Sequence, residues 1–230
     1  MNRPPWLRLG YGFVAAGLAI TSGCVPAKKY SAYRSHEGDF ACEVPAGWPV
    51  VMDRASAYFS QVLFTGPFEP SFYLGVPTLS VRWYRINAPR RLPNGSHEMY
   101  SSVQDFMGQM LRDVYGPDGS FKADADAEAD LAMGRGETLP ESKRIKISGR
   151  EGVYFVAYHN APAPEGKRDG VVSDNAGRRV ILQRHGYAIL PVHGGFYVLS
   201  YPATRDGFEK YKPAFFKLIN SFRILKEGPR

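Results

Sequence analysis

The chain has 230 residues, of which 44% are hydrophobic, and a formal net charge of +7. That length supports one sizeable core and does not require two, and its two cysteines leave room for at most one disulfide. The mildly basic balance fits contact with anionic lipid or an acidic partner. The 14 Tyr, 14 Phe, 18 Pro and 24 Gly suggest a β-rich domain with many turns.

Met1 to Arg8 holds two arginines and no acid, and Leu9 to Ile20 is an uncharged apolar run. A basic start and an apolar middle of ~7–15 residues make a secretory signal. A bilayer-spanning helix needs ~20 apolar residues, more than this run supplies. Next come Ile20-Thr21-Ser22-Gly23-Cys24. They resemble the bacterial lipobox, in which small residues precede a cysteine that is acylated and becomes the first residue. Thr21 stands where that motif usually has an aliphatic residue. The resemblance implies a signal peptide over 1–23, lipidation (palmitate-bearing) at Cys24 and a tether over 24–38. The partner is then a membrane, reached through lipid that contributes ~0.8 kcal/mol per buried CH₂. Val25 rather than Asp follows Cys24, which implies the periplasmic face of the outer membrane in a Gram-negative envelope. Removing Arg3 and Arg8 lowers the charge from +7 to +5. An exported chain is not expected to bind nucleic acid. The other reading is a secretory signal cut nearby, with Cys24 incidental.

After the tether, Asp39 to Pro45 reads as a strand with Phe40, Cys42 and Val44 on one face. Cys42 reads as a small buried hydrophobe; a Cys24–Cys42 disulfide is its rival if Cys24 carries no lipid. Strands follow at Val50–Asp53 and Phe59–Thr65, the latter ended by Gly66-Pro67-Phe68-Glu69-Pro70. Thr78 to Ile86 alternates as a half-buried strand, with Leu79, Val81 and Trp83 opposite Ser80, Arg82 and Tyr84. Past the Pro93-Asn94-Gly95 turn, His97 to Tyr115 reads as a helix with Val103, Phe106, Met107, Met110 and Val114 on one face. Residues 117–142 break pattern. Lys143–Ser148 and Val153–Tyr158 are strands, 161–175 is a loop, and Arg178–His193 is a long strand expected to kink at Gly186. A Gly194-Gly195 hairpin turn leads to the strand Phe196–Tyr201. Thr204 caps a last helix with Phe208, Tyr211, Phe215, Ile219 and Phe222 as its stripe. Its regular part is expected to begin near Pro213, and 221–225 runs into a short strand.

Three phrases in this order carry a family resemblance. Phe40 to Trp48 ends as Pro45-Ala46-Gly47-Trp48. Gly149-Arg150-Glu151-Gly152-Val153-Tyr154 turns into a central strand. Gly195 to Tyr201, followed by Phe208, Tyr211, Phe215 and Ser221-Phe222, closes the chain. Together they resemble the PsbP-like fold, over most of residues 38–226. The resemblance implies an α+β domain at 39–226, a mostly antiparallel sheet packed by helices as an αβα sandwich, with insertions near 117–142 and 161–175. It carries over no family-wide catalytic residues, and a photosynthetic role is not implied. It implies an accessory or assembly subunit bound to a larger complex.

The chain lacks a Gly-x-Ser-x-Gly elbow, a His-Glu-x-x-His pair and a phosphate-cradling Gly-rich loop. No enzyme activity, metal or cofactor is therefore expected. His159, His185 and His193 lie at strand ends or kinks, so two of them could meet at one edge, but a metal site needs fixed geometry and a third or fourth ligand. Asp124, Asp126, Glu128 and Asp130 lack the order of a calcium loop. Arg82, Arg85, Arg90 and Arg91 surround Trp83 and Tyr84, a combination common at interfaces. They are the candidate interaction surface, for acidic lipid headgroups or an acidic protein patch. Lys143, Arg144, Lys146, Arg150, Lys167, Arg168, Arg178 and Arg179 are similar but less clustered. The expectation is a non-enzymatic interaction lipoprotein of the bacterial cell envelope. The alternatives are a small-ligand or metal-binding module and a hydrolase with an unrecognised site.

Overall fold

The computed structural model describes residues 28–92, 94–115, 142–173 and 177–227. The signal segment, Cys24 and the acids at 124–130 lie outside the described residues. A small sheet runs β1 (Tyr30–Arg34), β2 (Phe40–Pro45) and β13 (Arg223–Ile224). The main sheet has the order β3 (Val50–Ala55), β4 (Phe59–Thr65), β5 (Thr78–Arg85), β12 (Gly195–Thr204), β11 (Arg179–Val192), β9 (Arg150–Pro162) and β8 (Ser142–Ile147). β10 (Val171–Ser173) pairs with β11, and β6 (Arg90–Arg91) pairs with β7 (His97–Glu98) in a separate hairpin. Every pairing among the described residues is antiparallel. Two helices complete the domain, α1 (Val103–Tyr115) and α2 (Arg205–Ser221).

β12 organises the core because both of its faces are apolar. Tyr197, Leu199 and Tyr201 pack with Phe208, Phe215, Leu218 and Ile219 of α2 and with Phe40, Cys42 and Val44 of the small sheet. Phe196 and Val198 alternate onto the other face, against Val103 and Phe106 of α1 and Tyr84, Phe155 and Ile189 of the sheet. Each such large side chain contributes about 1.5–3 kcal/mol when fully buried. Within the first cluster one carboxylate is buried. Asp39 accepts from the Tyr197 hydroxyl at 2.8 Å and from Ser35, while its backbone oxygen accepts from Leu225 and Lys226. That knot joins the start of the domain to its end.

Several expectations are corrected. The stretch 24–38 is not tether throughout: Tyr30–Arg34 is a strand paired in full register with β2. Tyr33 inserts its ring against Phe64, and its hydroxyl donates to Asp53, so a polar-looking segment is held by its aromatics. β5 is covered on both faces rather than half-buried, because α1 roofs Tyr84 while α2's side takes Trp83. α1 begins at Val103, not His97. His97 and Glu98 are claimed by the hairpin with Arg90 and Arg91, and Ser102 then caps the helix by accepting from the Asp105 N–H at 3.0 Å. α2 continues through Pro213. A proline there costs about 3 kcal/mol, but Phe208 before it and Phe215, Leu218 and Ile219 after it are buried together, which holds the helix through it.

Gly186 does not kink β11, whose pairing with β9 and β12 is continuous through it. Its missing side chain makes a notch for Phe215, whose ring would stand 2.8 Å from a Cβ. The β11–β12 turn is His193-Gly194, one residue earlier than expected, because Gly195 already pairs with Val192. Gly194 supplies the positive φ, at 72°. The loop expected at 161–175 is shorter, since β9 runs to Pro162 and β10 occupies Val171–Ser173.

Candidate functional site

Arg82, Arg85, Arg90 and Arg91 do not form one surface. Alternation along β5 sends Arg82 and Arg85 to opposite faces, and the hairpin carries the other two. Arg82 lies half-buried on the α1 side, beside Tyr84 and Tyr187. Burial pushes both tyrosine hydroxyls up, and the Arg82 charge opposes the shift. Arg82 therefore works within the fold.

Arg90 is also committed. Its guanidinium lies over the Phe59 ring, 3.9 Å from the centroid, and its Nε is 3.0 Å from Glu98 Oε2. Glu98 Oε1 accepts from the Tyr100 hydroxyl, and burial followed by that hydrogen bond holds Tyr100 well above the ordinary tyrosine range. Tyr100 in turn packs edge-on against Tyr84 and Phe106. This clamp joins the β6–β7 hairpin to the roof of α1. Stacking of a cation on a ring contributes about 0.5–2 kcal/mol.

Arg85 and Arg91 remain exposed. Arg85 stands over Tyr58, 5.9 Å from the centroid, and donates to the Ala57 carbonyl at 3.4 Å. Arg91 pairs with His97 through the backbone, and Tyr58 and Met99 are exposed at the same end. Arg85 and Tyr58 are thus exposed together where β4 begins, and Arg91 is exposed on the hairpin that Arg90 fixes. Tyr58 and Glu98 were missed from sequence. A signal for Glu98 was present, because Arg90–Glu98 and Arg91–His97 are symmetric about Asn94, at the centre of the expected turn.

His193 stands apart from His185. His185 and His193 are eight positions apart on or just beyond one strand, about 27 Å at strand rise. His193 is exposed at the turn, while His185 sits mid-strand opposite Ala157 and Pro202. His159 stands opposite Gln183, diagonal to His185. Among the described residues no group of three or more His, Cys, Asp or Glu is arranged to hold a metal ion. Cys42 is buried beside Phe40 and Val44, and its thiol is pushed up to about 12 by loss of solvent.

The other basic stretches have places in the fold. Lys143, Arg144 and Lys146 lie on β8, the last strand of the main sheet among the described residues, where exposed cations discourage edge-to-edge pairing. Arg150 pairs with Glu227 at 2.7 Å. Lys167 donates to the Pro70 and Phe72 carbonyls, and Arg179 donates to the Lys167 carbonyl. No described helix is long and apolar enough to cross a membrane.

No protein-family model matches the chain, and no curated protein matches it by sequence. Among solved structures the chain is similar to the cyanobacterial PsbP (CyanoP) of Synechocystis, with 16% identity over 88% of this chain and 96% of that one, at a TM-score of 0.43. It is similar to the Ran-binding protein Mog1p of Saccharomyces cerevisiae, with 9% identity over 86% and 96% of the two chains, at 0.42. A third structure, from Bacteroides thetaiotaomicron, has 12% identity over 87% of this chain and 50% of that one, at 0.39.

Proposed function

We propose that this chain is a non-enzymatic docking subunit, a PsbP-like αβα sandwich held at a bacterial envelope membrane by lipid on Cys24. The observation that carries the docking half is the clamp of Arg90 between Phe59 and Glu98. It fixes the hairpin that presents Arg91, and Arg85 and Tyr58 are exposed at the same end of the sheet, so the reading joins the three as a cationic and aromatic patch. Such patches desolvate at low entropic cost against an acidic protein surface. The membrane half rests on the lipobox resemblance and on the position of Lys28, four residues after Cys24 and at the other end of the sheet from that patch. An anchored domain then displays its arginines away from the bilayer, toward a protein partner rather than toward lipid headgroups.

In-cell crosslinking followed by capture and mass spectrometry tests this. The docking reading expects one reproducible partner whose recovery falls in Arg85→Ser and Arg91→Ser, both folded. Recovery unaffected by either change counts against it. Mass analysis of the mature N-terminal peptide tests the anchor: an acylated Cys24 supports it, and an unmodified cysteine or a cut elsewhere removes it.

A further inference from the structure

The chain enters the domain beside a loop that the docking patch does not explain. The Lys29 carbonyl accepts from Ala46 N–H at 3.0 Å, which brings the entering chain to the turn that ends in Trp48. The Trp48 ring lies 2.6 Å from where a Cβ on Gly66 would stand, at the neck of the loop 66–77. Trp48 and Phe72 both pack edge-on against Tyr211, at 5.5 and 5.6 Å. Chain entry and loop therefore share one end of the molecule.

That loop is rigid and apolar at once. Gly66 N–H donates to Pro77 across its neck, Glu69 N–H donates to Gly75 and Gly75 N–H to Phe72 within it. Lys167 donates to two of its carbonyls, Thr204 to a third, and Lys210 pairs with Glu69. Phe72 is 1% exposed and anchors it in the core. Yet Phe68 and Leu74 are 78% and 79% exposed, the most exposed large hydrophobic side chains among the described residues, with Val172 also exposed. A loop this well fixed has no internal reason to hold two large apolar groups in water.

We infer that Phe68 and Leu74 insert into the interfacial region of the bilayer that holds the lipid anchor. This rests on the reading of Cys24 as the lipidated residue. Four residues reach at most about 14 Å when extended, so the entry end of the domain cannot leave the membrane surface. Exposed Lys28 and Lys29, where the chain enters the domain, favour anionic headgroups. The contacts orient the domain, with β5 running from Thr78 at the loop to Arg85 some 23 Å further out.

The test uses the full mature chain in vesicles of phosphatidylethanolamine and phosphatidylglycerol with brominated acyl chains. Phe68→Trp, Leu74→Trp and Tyr58→Trp are compared with the parent, whose Trp48 and Trp83 set the background. Insertion expects loss of the added emission at positions 68 and 74 by bromine quenching, and none at 58. Unquenched emission at 68 and 74 overturns it, including a blue shift without quenching, which would mean that a second copy covers the tip. Acylation of Cys24 is read by mass in the same sample. If Cys24 proves unmodified the anchor reading fails alone, and quenching at 68 and 74 by added vesicles still decides the insertion.

Discussion

The two ends of the sheet are held by different physics and offer different chemistry. At the arginine end, order comes from side chains: Arg90 on Phe59, Glu98 between Arg90 and Tyr100. What remains outside is cationic and hydrogen-bonding. At the entry end, order comes from backbone carbonyls capped by Lys167, Thr204 and the loop's own N–H groups, with Phe72 as a plug. What remains outside is apolar. Rigidity alone therefore does not reveal a surface's partner. The residues left over once the local structure is satisfied are what the proposed docking and insertion readings rest on.

The comparison is broken most strongly by removing the plug. Phe72→Ala should cost about 3–5 kcal/mol in thermal or denaturant unfolding. Phe68→Ser, four residues away, should change stability by less than about 0.5 kcal/mol. Equal effects would mean that the loop is not anchored as described. At the other end, Arg90→Ser should cost about 1–3 kcal/mol, since it strips Glu98 of its cation and uncovers Phe59. Arg91→Ser should stay within about 0.5 kcal/mol while lowering partner capture. If the two arginines proved interchangeable in stability, the division between clamp and surface would fall.

Smaller effects sharpen the picture between the ends. The Cys42 thiol is raised from 9.0 to about 12 by burial, so it should resist disulfide reagents at pH 8 in the folded chain and react only on unfolding. Its contribution to stability is fully present below pH 9.0 and is lost as pH rises from there to about 12, because only the unfolded thiol ionises freely in that window. A pH titration of the unfolding midpoint in Cys42→Ala against the parent isolates this. Smallest is the start of α1, where Asp105 accepts from the Ser101 N–H at 2.9 Å, which lowers its carboxyl below 3.8. Asp105→Ala should cost about 1 kcal/mol at pH 7. The difference from parent should persist above pH 3.8 and vanish as pH falls through the lowered value.

Much of the core was legible before any coordinates. Period-2 alternation placed Phe40, Cys42 and Val44 on one face and Trp83 and Tyr84 on opposite ones, and the 3–4 spacing placed Val103 and Phe106 inward. These are local geometry, and local geometry is written in residue order. Errors gathered where two segments compete for one stretch of chain. His97 and Glu98 fit a helix until Arg90 and Arg91 pair with them, and Tyr30–Arg34 looks like a polar tether until β2 lies alongside. Pro213 reads as the start of the regular helix in isolation, yet burial of the stripe on both sides of it carries α2 through.

By itself the sequence determined the class of the domain, the faces of its strands and the residues near Cys24 that resemble an export and lipidation signal. Hydrophobic period and turn chemistry act over a few residues, so they survive without the fold. Only the tertiary structure decided which arginines are free. Arg90 and Arg91 are neighbours in one strand, and they differ solely in whether Phe59 and Glu98, brought in from 31 and 8 positions away, lie in reach. It likewise decided that Phe68 and Leu74 stay in water while Phe72 between them does not. Which of three nearby apolar side chains is buried depends on where Tyr201 and Tyr211, more than 100 residues later, come to rest.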